Sequence, residues 1–454
     1  MLRFSTNLSH TVTLWHLRII FLNNISLLHF SGVALMGLKR WQNAISDFEM
    51  SLHHKYPNGQ YKLHHKIGMC FVKLKKYKSA TLSFKTALDT LKSSDVDSKV
   101  RTQFTKILKE CITKFSAKPE EKTLTPKLKN IAVTHPNKVD PRLHENVEIM
   151  EEVGKGRTAF AKSSIGVGTI LALDDAIGGH LNPDDPSKTL QFCVKCLRNV
   201  SIPYPCPYSP RVVYCSRKCQ EEGSRSFQKY QSQIDLYGMR QKDTKDGCSI
   251  FSGLSVLMSK PASFWMEHHT RFLMADSTEC EWPTKNSSEL ERMTNLFDMC
   301  TNRDKVDHDT EVRHAVTVVL LLRALRDTTW YEESGLAGEQ GGLTREEVIM
   351  GRLLHKKRLI NDMNAHAIWG VELNPRDPTK IGTENIGQGL YTAIASFFNH
   401  DCNPNTIRIN MGTQMFLVAA KNIRKGEEIT DNYCIHFSDM PASGRRGWIE
   451  VELG

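Results

Sequence analysis

The sequence lacks several features that would place it in a common class of protein. Among its 454 residues, no apolar run approaches the ~20 residues of a membrane-spanning helix. The apolar stretch 14–22 contains His16 and Arg18 and lacks a small-residue cleavage site, which argues against a signal peptide. Its basic residues are dispersed and form no motif interleaved with aromatic residues. The formal net charge of +10 permits an acidic partner, but we expect neither a membrane nor a nucleic acid.

The composition is ordinary except for the distribution of cysteine. A chain of 454 residues allows roughly two to four domains, and 40% hydrophobic with 24% charged residues is typical of soluble proteins. Five of the 12 cysteines fall within residues 193–219. In a long chain, such a cluster indicates a metal site rather than a disulfide scaffold. We therefore expect a reducing compartment, the cytoplasm and nucleus.

Residues 28–115 contain a repeat with a period of 36 residues. Small residues allow two helices to approach closely, and aromatic residues fill the groove between them. The pattern resembles tetratricopeptide repeats, and two unrelated amphipathic helix pairs are the alternative. Residues 1–27 stay unassigned, as a leader or an incomplete first repeat. The first copy has Gly32, Leu35, Trp41, Ala44, Phe48 and Leu52, and the second has Gly68, Phe71, Tyr77, Ala80, Phe84 and Leu88.

Basic residues cluster within the second repeat. A peptide or chaperone partner is expected at such repeats; an acidic peptide is one candidate for the lysines, and a merely solvated basic face is the favoured alternative. The lysines are Lys73, Lys75, Lys76 and Lys78. Four prolines among further lysines then predict a linker over residues 116–142.

The stretch around residues 389–433 is the most informative part of the chain. Residues 399–405, NHDCNPN, hold too many side-chain hydrogen-bonding groups for a helix or a central strand and predict a shaped loop. Alternating residues in Thr406–Asn410 and Gln414–Ala420 flank a glycine and predict a hairpin. The second turn, at Gly426, leads into Tyr433.

Two motifs in this stretch carry a resemblance to a known family. NHDCNPN and GEEITDNY resemble the C-terminal signature motifs of SET-domain protein-lysine methyltransferases, in the form of the SET-and-MYND (SMYD) family. KGRTAFAKSSIGVGTIL, residues 155–171, is similar to the opening of an SMYD SET domain. Thr158 stands where family members often have a glycine.

The resemblance implies an α+β multidomain fold. Its expected parts are the helical repeats and a small β-rich SET fold split by a zinc finger and a helical insert. The expected boundaries are 28–115 for the repeats, 143–190 and 376–440 for the SET halves, 191–232 for the MYND-like finger, 233–375 for the insert and 441–454 for the tail.

The resemblance also implies the site residues. Tyr433 is expected to present its hydroxyl at the transferring methyl group of S-adenosylmethionine (AdoMet). A core tyrosine at 433, a structural histidine at 400 and a helix-end asparagine at 364 are the alternatives. The expected cofactor-binding residues are Lys155, Gly156, Arg157, Asn364, Asn399 and His400.

The cysteine cluster predicts one zinc ion. Thiolates separated by two or three residues converge on a tetrahedral ion. By resemblance to a MYND finger, Cys193, Cys196, Cys215 and Cys219 form a complete four-thiolate site. Cys206 alone remains of a second site, whose other positions hold Ser209, Gln228 and Ser232. Hydroxyl and amide groups do not replace thiolate and imidazole, so the second site is degenerate. Five unligated cysteines are the alternative.

Three helices are predicted in the insert. The sequences Ser288–Glu291 and Thr344–Glu347 are capping boxes, and Val316–Leu325 reads as a buried helical run. The helix after Ser288 is expected to carry Leu290, Met293, Leu296, Phe297 and Cys300 on one face, and the helix after Thr344 is expected to run toward Asn364.

The predicted activity is AdoMet-dependent methylation of lysine in histone or non-histone protein. No cysteine follows Cys434, whereas the resemblance implies a cysteine-rich post-SET segment that binds another zinc. Either the chain is truncated or its lysine channel is incomplete. The alternatives are a non-catalytic scaffold that recruits chaperones or co-repressors and an AdoMet-binding adaptor.

Overall fold

Two compact units, Met1–Asn130 and Ile131–Gly454, make up the chain. The boundary falls within the predicted linker 116–142, of which residues 120–131 lie outside the described part. The computed structural model describes residues 25–53, 59–119, 132–153, 156–181, 190–200, 203–209, 212–231, 233–234, 252–274, 287–338, 341–373, 381–391, 394–433 and 443.

The first unit is helical. Its described helices are α1 (Ile25–Gly37), α2 (Trp41–His53), α3 (Gln60–Lys73), α4 (Tyr77–Lys92) and α5 (Ser98–Ser116). The first four form two helical hairpins, and α5 packs on α4. This confirms the N-terminal helices of the predicted fold.

The two hairpins repeat the same packing at the same positions. A Cβ built on Gly32 would lie 2.4 Å from the ring of Phe48, and one on Gly68 would lie 2.4 Å from the ring of Phe84. Glycine is needed at both positions because any side chain would displace the aromatic ring. Each hairpin also turns through a lysine in the left-handed region, Lys39 with φ 60° and Lys75 with φ 58°.

The second unit is built on short antiparallel strands. The strands are β1 (Val147–Glu152), β2 (Gly156–Ala161), β3 (Ile170–Asp175), β4 (Ile177–Leu181), β5 (Tyr204–Pro205), β6 (Val213–Tyr214), β7 (Ala365–Leu373), β8 (Ile381–Leu390), β9 (Thr406–Met411) and β10 (Gln414–Ala419). The sheets join β1 to β2, β9 and β3 to β10, β7 and β4 to β8, and β5 to β6.

The predicted hairpin joins the two halves of this unit. β9 and β10 pair antiparallel from Met411 with Gln414, and Gly412 between them has φ 66°. On its other edge β10 pairs with β3, although the two strands are about 240 residues apart in sequence. Segments from both ends of the unit therefore share one sheet.

Helices fill the region between the halves. Ser288 and Thr344 both form complete capping boxes, which confirms both predicted helix starts. The helix after Ser288 ends at Phe297, before Cys300. The helices are α6 (Arg217–Gly223), α7 (Phe227–Gln231), α8 (Ala262–Met274), α9 (Glu289–Phe297), α10 (His308–Leu325), α11 (Thr329–Glu333) and α12 (Arg345–Asn364).

The run Val316–Leu325 is helical, but the prediction that it is buried was wrong for part of it. Val316 is 55% exposed and Leu320 is 47% exposed, whereas Leu322 is buried. The buried face of α10 packs on α12, where a Cβ on Gly351 would meet Leu322 at 3.0 Å. A continuous apolar run hides this one-sided contact because its hydrophobicity does not alternate.

Two of the hydrophobic clusters among the described residues of the second unit are large. One is formed largely by the helices and is centred on residues such as Trp265, Phe272 and Leu354. The other is formed by strands of both halves, including Leu171, Leu417 and Ile429. In the part of the chain that the structure describes, no helix is both long and apolar enough to cross a membrane.

Candidate active site and zinc centre

The two C-terminal motifs lie side by side. His400 and Asp431 form a parallel bridge. The Asp431 amide donates to the Asn399 carbonyl at 2.9 Å, and the Asp401 amide donates to the Asp431 carbonyl at 2.9 Å. The polar loop and the segment ending at Tyr433 therefore pass each other in contact. We call residues 399–405 and 426–433 together the crossing.

Asparagine side chains satisfy the irregular backbone of the crossing. Buried Asn405 accepts from the Thr430 amide at 2.9 Å and donates to the Glu428 carbonyl at 2.8 Å. The Thr406 hydroxyl donates to the Thr430 carbonyl at 2.7 Å. A buried loop needs such side-chain partners because it has no regular strand ladder. The many polar side chains of residues 399–405 thus provide hydrogen-bond partners for the backbone of the crossing.

Strand β2 is hydrogen-bonded to the crossing. The Ile429 amide donates to Ala159 at 2.8 Å, and the Gly426 amide donates to Ala161 at 2.7 Å. The Asn399 side-chain amide donates to the Thr158 hydroxyl at 3.0 Å and to a Glu428 carboxylate oxygen at 2.9 Å. Thr158, which replaces the family's frequent glycine, therefore acts as an acceptor within the crossing. Both amide hydrogens of Asn399 are used inside the protein.

Tyr433 is held at both its backbone and its hydroxyl. Its amide donates to His400 Nδ1 at 3.0 Å, and its hydroxyl donates to the Phe398 carbonyl at 2.7 Å. Burial, followed by the negative charge of Asp431, raises the pKa of Tyr433 to about 12, so the phenol stays protonated at neutral pH. The phenol is thus hydrogen-bonded to the carbonyl of Phe398, the residue directly before Asn399.

His400 is a neutral histidine that bridges Tyr433 and Cys402. Because its Nδ1 accepts from Tyr433, its Nε2 carries the hydrogen and faces the Cys402 sulfur at 3.4 Å. Burial lowers the pKa of His400 below its usual value. The His400 and Tyr433 rings lie 5.6 Å apart. His400 therefore positions Tyr433 through the backbone and through ring contact.

Arg408 is a supporting residue that sequence reasoning missed. Its Nε donates to Asp431 Oδ2 at 3.0 Å, and its terminal nitrogen contacts the same oxygen. The pair is largely buried, and removing one partner would leave the other charge uncompensated. No local signal marks Arg408, which is one polar position of an alternating strand.

Asp174, on β3, was also missed. Its Oδ2 accepts from the amides of Ile394 and Ala395 at 2.8 and 3.3 Å, and so fixes the turn that enters Phe398. Burial raises the pKa of Asp174 to about 6, and the hydrogen bonds from these amides oppose that shift. The signal available was an acidic pair directly after an apolar strand.

Of the cofactor residues predicted near β2, Lys155 lies outside the described residues. Gly156 has φ 71°, with open space where a Cβ would be. The Arg157 guanidinium carbon lies 5.4 Å from the centre of the Phe397 ring. Within the described ranges, no carboxylate lies at salt-bridge distance from Arg157. A half-buried cation without a carboxylate partner is suited to an anionic ligand.

Asn364 is the last residue of α12. Its side-chain amide donates to the carbonyls of Cys300 and Ile360 at 2.7 and 2.8 Å. Both amide hydrogens are therefore bound to the helical insert, and the chain enters β7 at the next residue.

Four thiols form a site that fits zinc. The sulfurs of Cys193, Cys196, Cys215 and Cys219 lie within 4.8 Å of one another. Cys215 Sγ is 3.5 Å from Cys196 Sγ and 3.6 Å from Cys219 Sγ. A tetrahedral ion with Zn–S bonds of ~2.3 Å separates its sulfurs by ~3.8 Å, so the thiols need to move little.

Cys206 stands apart from this group. Its sulfur accepts from the Tyr214 hydroxyl at 3.7 Å, and the Tyr214 ring lies 2.4 Å from a Cβ built on Gly223. Gln228 accepts from the Ser226 hydroxyl at 2.8 Å, and Ser232 is outside the described residues. Among the described residues, no second group of three or more potential metal ligands is found.

Comparison with known proteins agrees with this geometry. The model of the SET domain matches residues 156–434. The mouse protein-lysine N-methyltransferase SMYD4 is 22% identical over an alignment of 487 positions, which covers 91% of this chain and 59% of the mouse protein. The human protein of that name is 21% identical, with 93% and 60% covered. The chain thus spans about three fifths of the length of these relatives. Since the domain match covers more than half of the chain, this protein belongs to the SET-domain family.

Proposed function

We propose that this chain transfers methyl groups from AdoMet to lysine side chains of proteins. The observation that carries the proposal is the phenol of Tyr433, fixed 2.7 Å from the Phe398 carbonyl beside Asn399. This arrangement lies within the SET domain match, and similar chains are named protein-lysine N-methyltransferases. The activity is a proposal because the chain spans only part of those relatives.

The residues around β2 fit AdoMet. Arg157 offers a cation to the methionine carboxylate, and Gly156 leaves open space where a side chain would stand. Lys155 precedes them in sequence. Asn399 and His400 in the crossing are the further residues proposed to hold the cofactor, whereas Asn364, whose side-chain amide is bound to the insert, would contact it through its carbonyl groups alone. When bound, AdoMet supplies an electrophilic methyl group on a positively charged sulfur.

Tyr433 orients this chemistry without acting as a base. Because its hydrogen is given to Phe398, its oxygen lone pairs are free to accept from polarised C–H groups of the methyl. The raised pKa keeps the phenol neutral at pH 7. The attacking lysine must also be neutral, and burial of its amine among aromatic rings favours loss of its proton to water before reaction.

One zinc ion is proposed in the finger. Cys193, Cys196, Cys215 and Cys219 would hold it as thiolates, and the ion would stabilise the fold of the finger. A second ion is not proposed because Tyr214 occupies the hydrogen-bonding position at Cys206.

The substrate is proposed to be a histone or another protein of the cytoplasm or nucleus. The helical repeats would bind a peptide or chaperone partner, as the tetratricopeptide resemblance implies. Their two matched hairpins and the capping helix α5 support a binding role separate from the SET domain.

Calorimetric titration of AdoMet, followed by methyl incorporation into histones and cell-extract proteins, tests the activity. We expect Tyr433→Phe to bind AdoMet like the wild type and to lose at least about tenfold in transfer, since one oriented oxygen is removed. Arg157→Ala should weaken AdoMet binding, whereas Lys162→Ala, on the exposed surface just after β2, should not. If the titration shows no heat of AdoMet binding, only the interpretation as a non-catalytic scaffold remains. Heat without incorporation into any protein would favour the adaptor.

A further inference from the structure

Two helices of the insert run antiparallel and leave a groove between them. Glu311, in the first turn of α10, has a carboxylate oxygen 2.9 Å from Nε2 of His355, which lies in the second half of α12. At the other end Arg326, directly after α10, donates to Glu347 in the first turn of α12 at 2.6 Å. The groove between these two contacts encloses about 540 Å³, a volume in the range of binding sites.

The floor of the groove and its α10 wall are apolar. Leu322 and Leu359 are buried at the floor, whereas Val348, at one end of the lining, is 46% exposed. On α10 the apolar surface continues out of the groove over residues 312, 315, 316 and 319, none of which is buried. This spacing is that of one apolar stripe of a helix, and such a stripe is normally covered by another element. The surface therefore has the form of the receiving side of a helix-in-groove contact.

Positive side chains edge this surface. Arg352 lines the groove, Arg345 lies two turns earlier on α12, and Arg323 continues the exposed side of α10. All three are exposed, and within the described ranges none has an acidic group at salt-bridge distance. The acidic residue of the lining, Glu311, is already paired with Arg303 at 3.1 Å. The edge of the groove thus carries three cations that no described carboxylate neutralises.

These arginines decide between possible occupants. A second copy of the chain seated on the same surface would bring like charges together across a two-fold axis, which is unfavourable. A helix with carboxylates beside its apolar face would meet both the apolar stripe and the arginines. Val348 and Leu359, at the two ends of the lining on α12, are separated by a rise of ~17 Å, which matches about three turns of such a helix.

We propose that the groove between α10 and α12 binds an amphipathic helix of a partner protein, with its apolar residues in the groove and its Asp or Glu residues facing Arg323, Arg345 and Arg352. The contact does not depend on the proposed methyl transfer. The bound helix would pack on α10 and α12 as the third helix of a bundle, which covers the outer apolar face of α10.

The test uses a fluorescently labelled helical peptide of about 15 residues, long enough to form a helix when bound. Its leucines stand at i, i+3, i+4 and i+7 and are flanked by glutamates, and a matched peptide has lysine in place of every glutamate. Each is titrated with the full chain, and binding is followed by fluorescence anisotropy. We expect the acidic peptide to bind at least about tenfold more tightly than the lysine peptide, and to bind less tightly as salt screens the arginines.

Paired variants locate the binding site. Arg352→Glu should weaken the acidic peptide about tenfold and strengthen the lysine peptide, and Val348→Ser should weaken the acidic peptide about fivefold. Leu320→Ser and Arg313→Glu are the matched controls, because both residues are exposed on α10 and lie outside the lining of the groove. The controls should change the affinity less than about twofold, and all four variants should melt like the wild type because their side chains are exposed.

Each outcome decides the proposal. Preference for the acidic peptide, lost in Arg352→Glu and Val348→Ser but kept in both controls, would establish the contact. A folded wild type that binds neither peptide, or both equally, would overturn it, and so would equal losses in the control variants. Analytical ultracentrifugation of the wild type tests the other occupant: a dimer that Val348→Ser dissociates would show that a second chain, and not a partner helix, covers the groove.

Discussion

Asn405 provides the sharpest test of how the crossing is held. The substitution Asn405→Ala removes the acceptor of the Thr430 amide and the donor to the Glu428 carbonyl. Each buried group left without a partner costs ~1–3 kcal/mol. Asn405 is only 7% exposed, so water replaces these contacts poorly, and we expect a total loss of ~2–4 kcal/mol.

Hydrogen exchange followed by mass spectrometry measures this loss where it arises. In peptides covering residues 426–433, a loss of ~2–4 kcal/mol should speed exchange by roughly 30- to 1,000-fold, because every 1.4 kcal/mol is a factor of ten. AdoMet binding should weaken in parallel, since the crossing also contains Asn399 and His400, which are proposed to hold the cofactor.

A neighbouring asparagine in the same loop supplies the control. Asn403 is exposed, and its side-chain oxygen accepts from the exposed Lys421 at 2.6 Å. Asn403→Ala should change exchange by less than about fivefold, as expected for a surface contact. Equal acceleration in the two variants would refute the claim that buried side-chain bonds hold the crossing together.

Three further predictions concern the repeats, the finger and the insert. Gly68→Ala should lower stability by ~1–3 kcal/mol in chemical denaturation, because its Cβ would enter the facing aromatic ring, whereas Gly37→Ala meets no atom within 4 Å and should not destabilise. Atomic emission should find one zinc ion per chain, and replacing a single finger thiolate by serine should release it; two ions per wild-type chain would contradict the structure. The pKa of Glu347 is lowered to about 2, mainly by its hydrogen bond with Arg326. The stability that the ionised Glu347 gives to the folded state is therefore complete above about pH 4.5 and is lost as the pH falls toward 2. Glu347→Gln should therefore reduce the change in urea midpoint between pH 6 and pH 3.

The parts of the fold that follow local rules could be predicted from the sequence. The density of hydrogen-bonding side chains around Asn405 excluded regular structure, and the structure shows them serving the backbone of a shaped loop. The capping boxes at Ser288 and Thr344 were predicted correctly because their two reciprocal hydrogen bonds join residues only three apart. The 36-residue repeat predicted the helical hairpins because glycine and phenylalanine recur in register.

The supporting residues of the site could not be predicted, because their roles depend on distant partners. Asp174 meets Ile394 across 220 positions, and Arg408 meets Asp431 only after the hairpin is folded. His366 follows the predicted cofactor residue Asn364 by two positions, yet its contacts with Tyr391 and Tyr433 come from distant parts of the chain. Exposure of Val316 was missed because an apolar run does not show which face has a partner.

The site depends on contacts that close very long loops. The hydrogen bond from Asn399 to Thr158 spans 241 positions, and the finger and the helical insert lie between them. Closing a loop of this length costs little more than closing one of half the length, about 0.6 kcal/mol per doubling, so large insertions are tolerated. The entropy lost on closing the loop must still be offset. Burial of one cluster of apolar residues from both SET halves, including Leu171 and Ile429, does so. The helical insert buries its own apolar residues in a largely separate core. Changes within that core should therefore reach Tyr433 mainly through β7. This strand begins directly after Asn364, the last residue of α12, and its His366 ring contacts the Tyr433 ring.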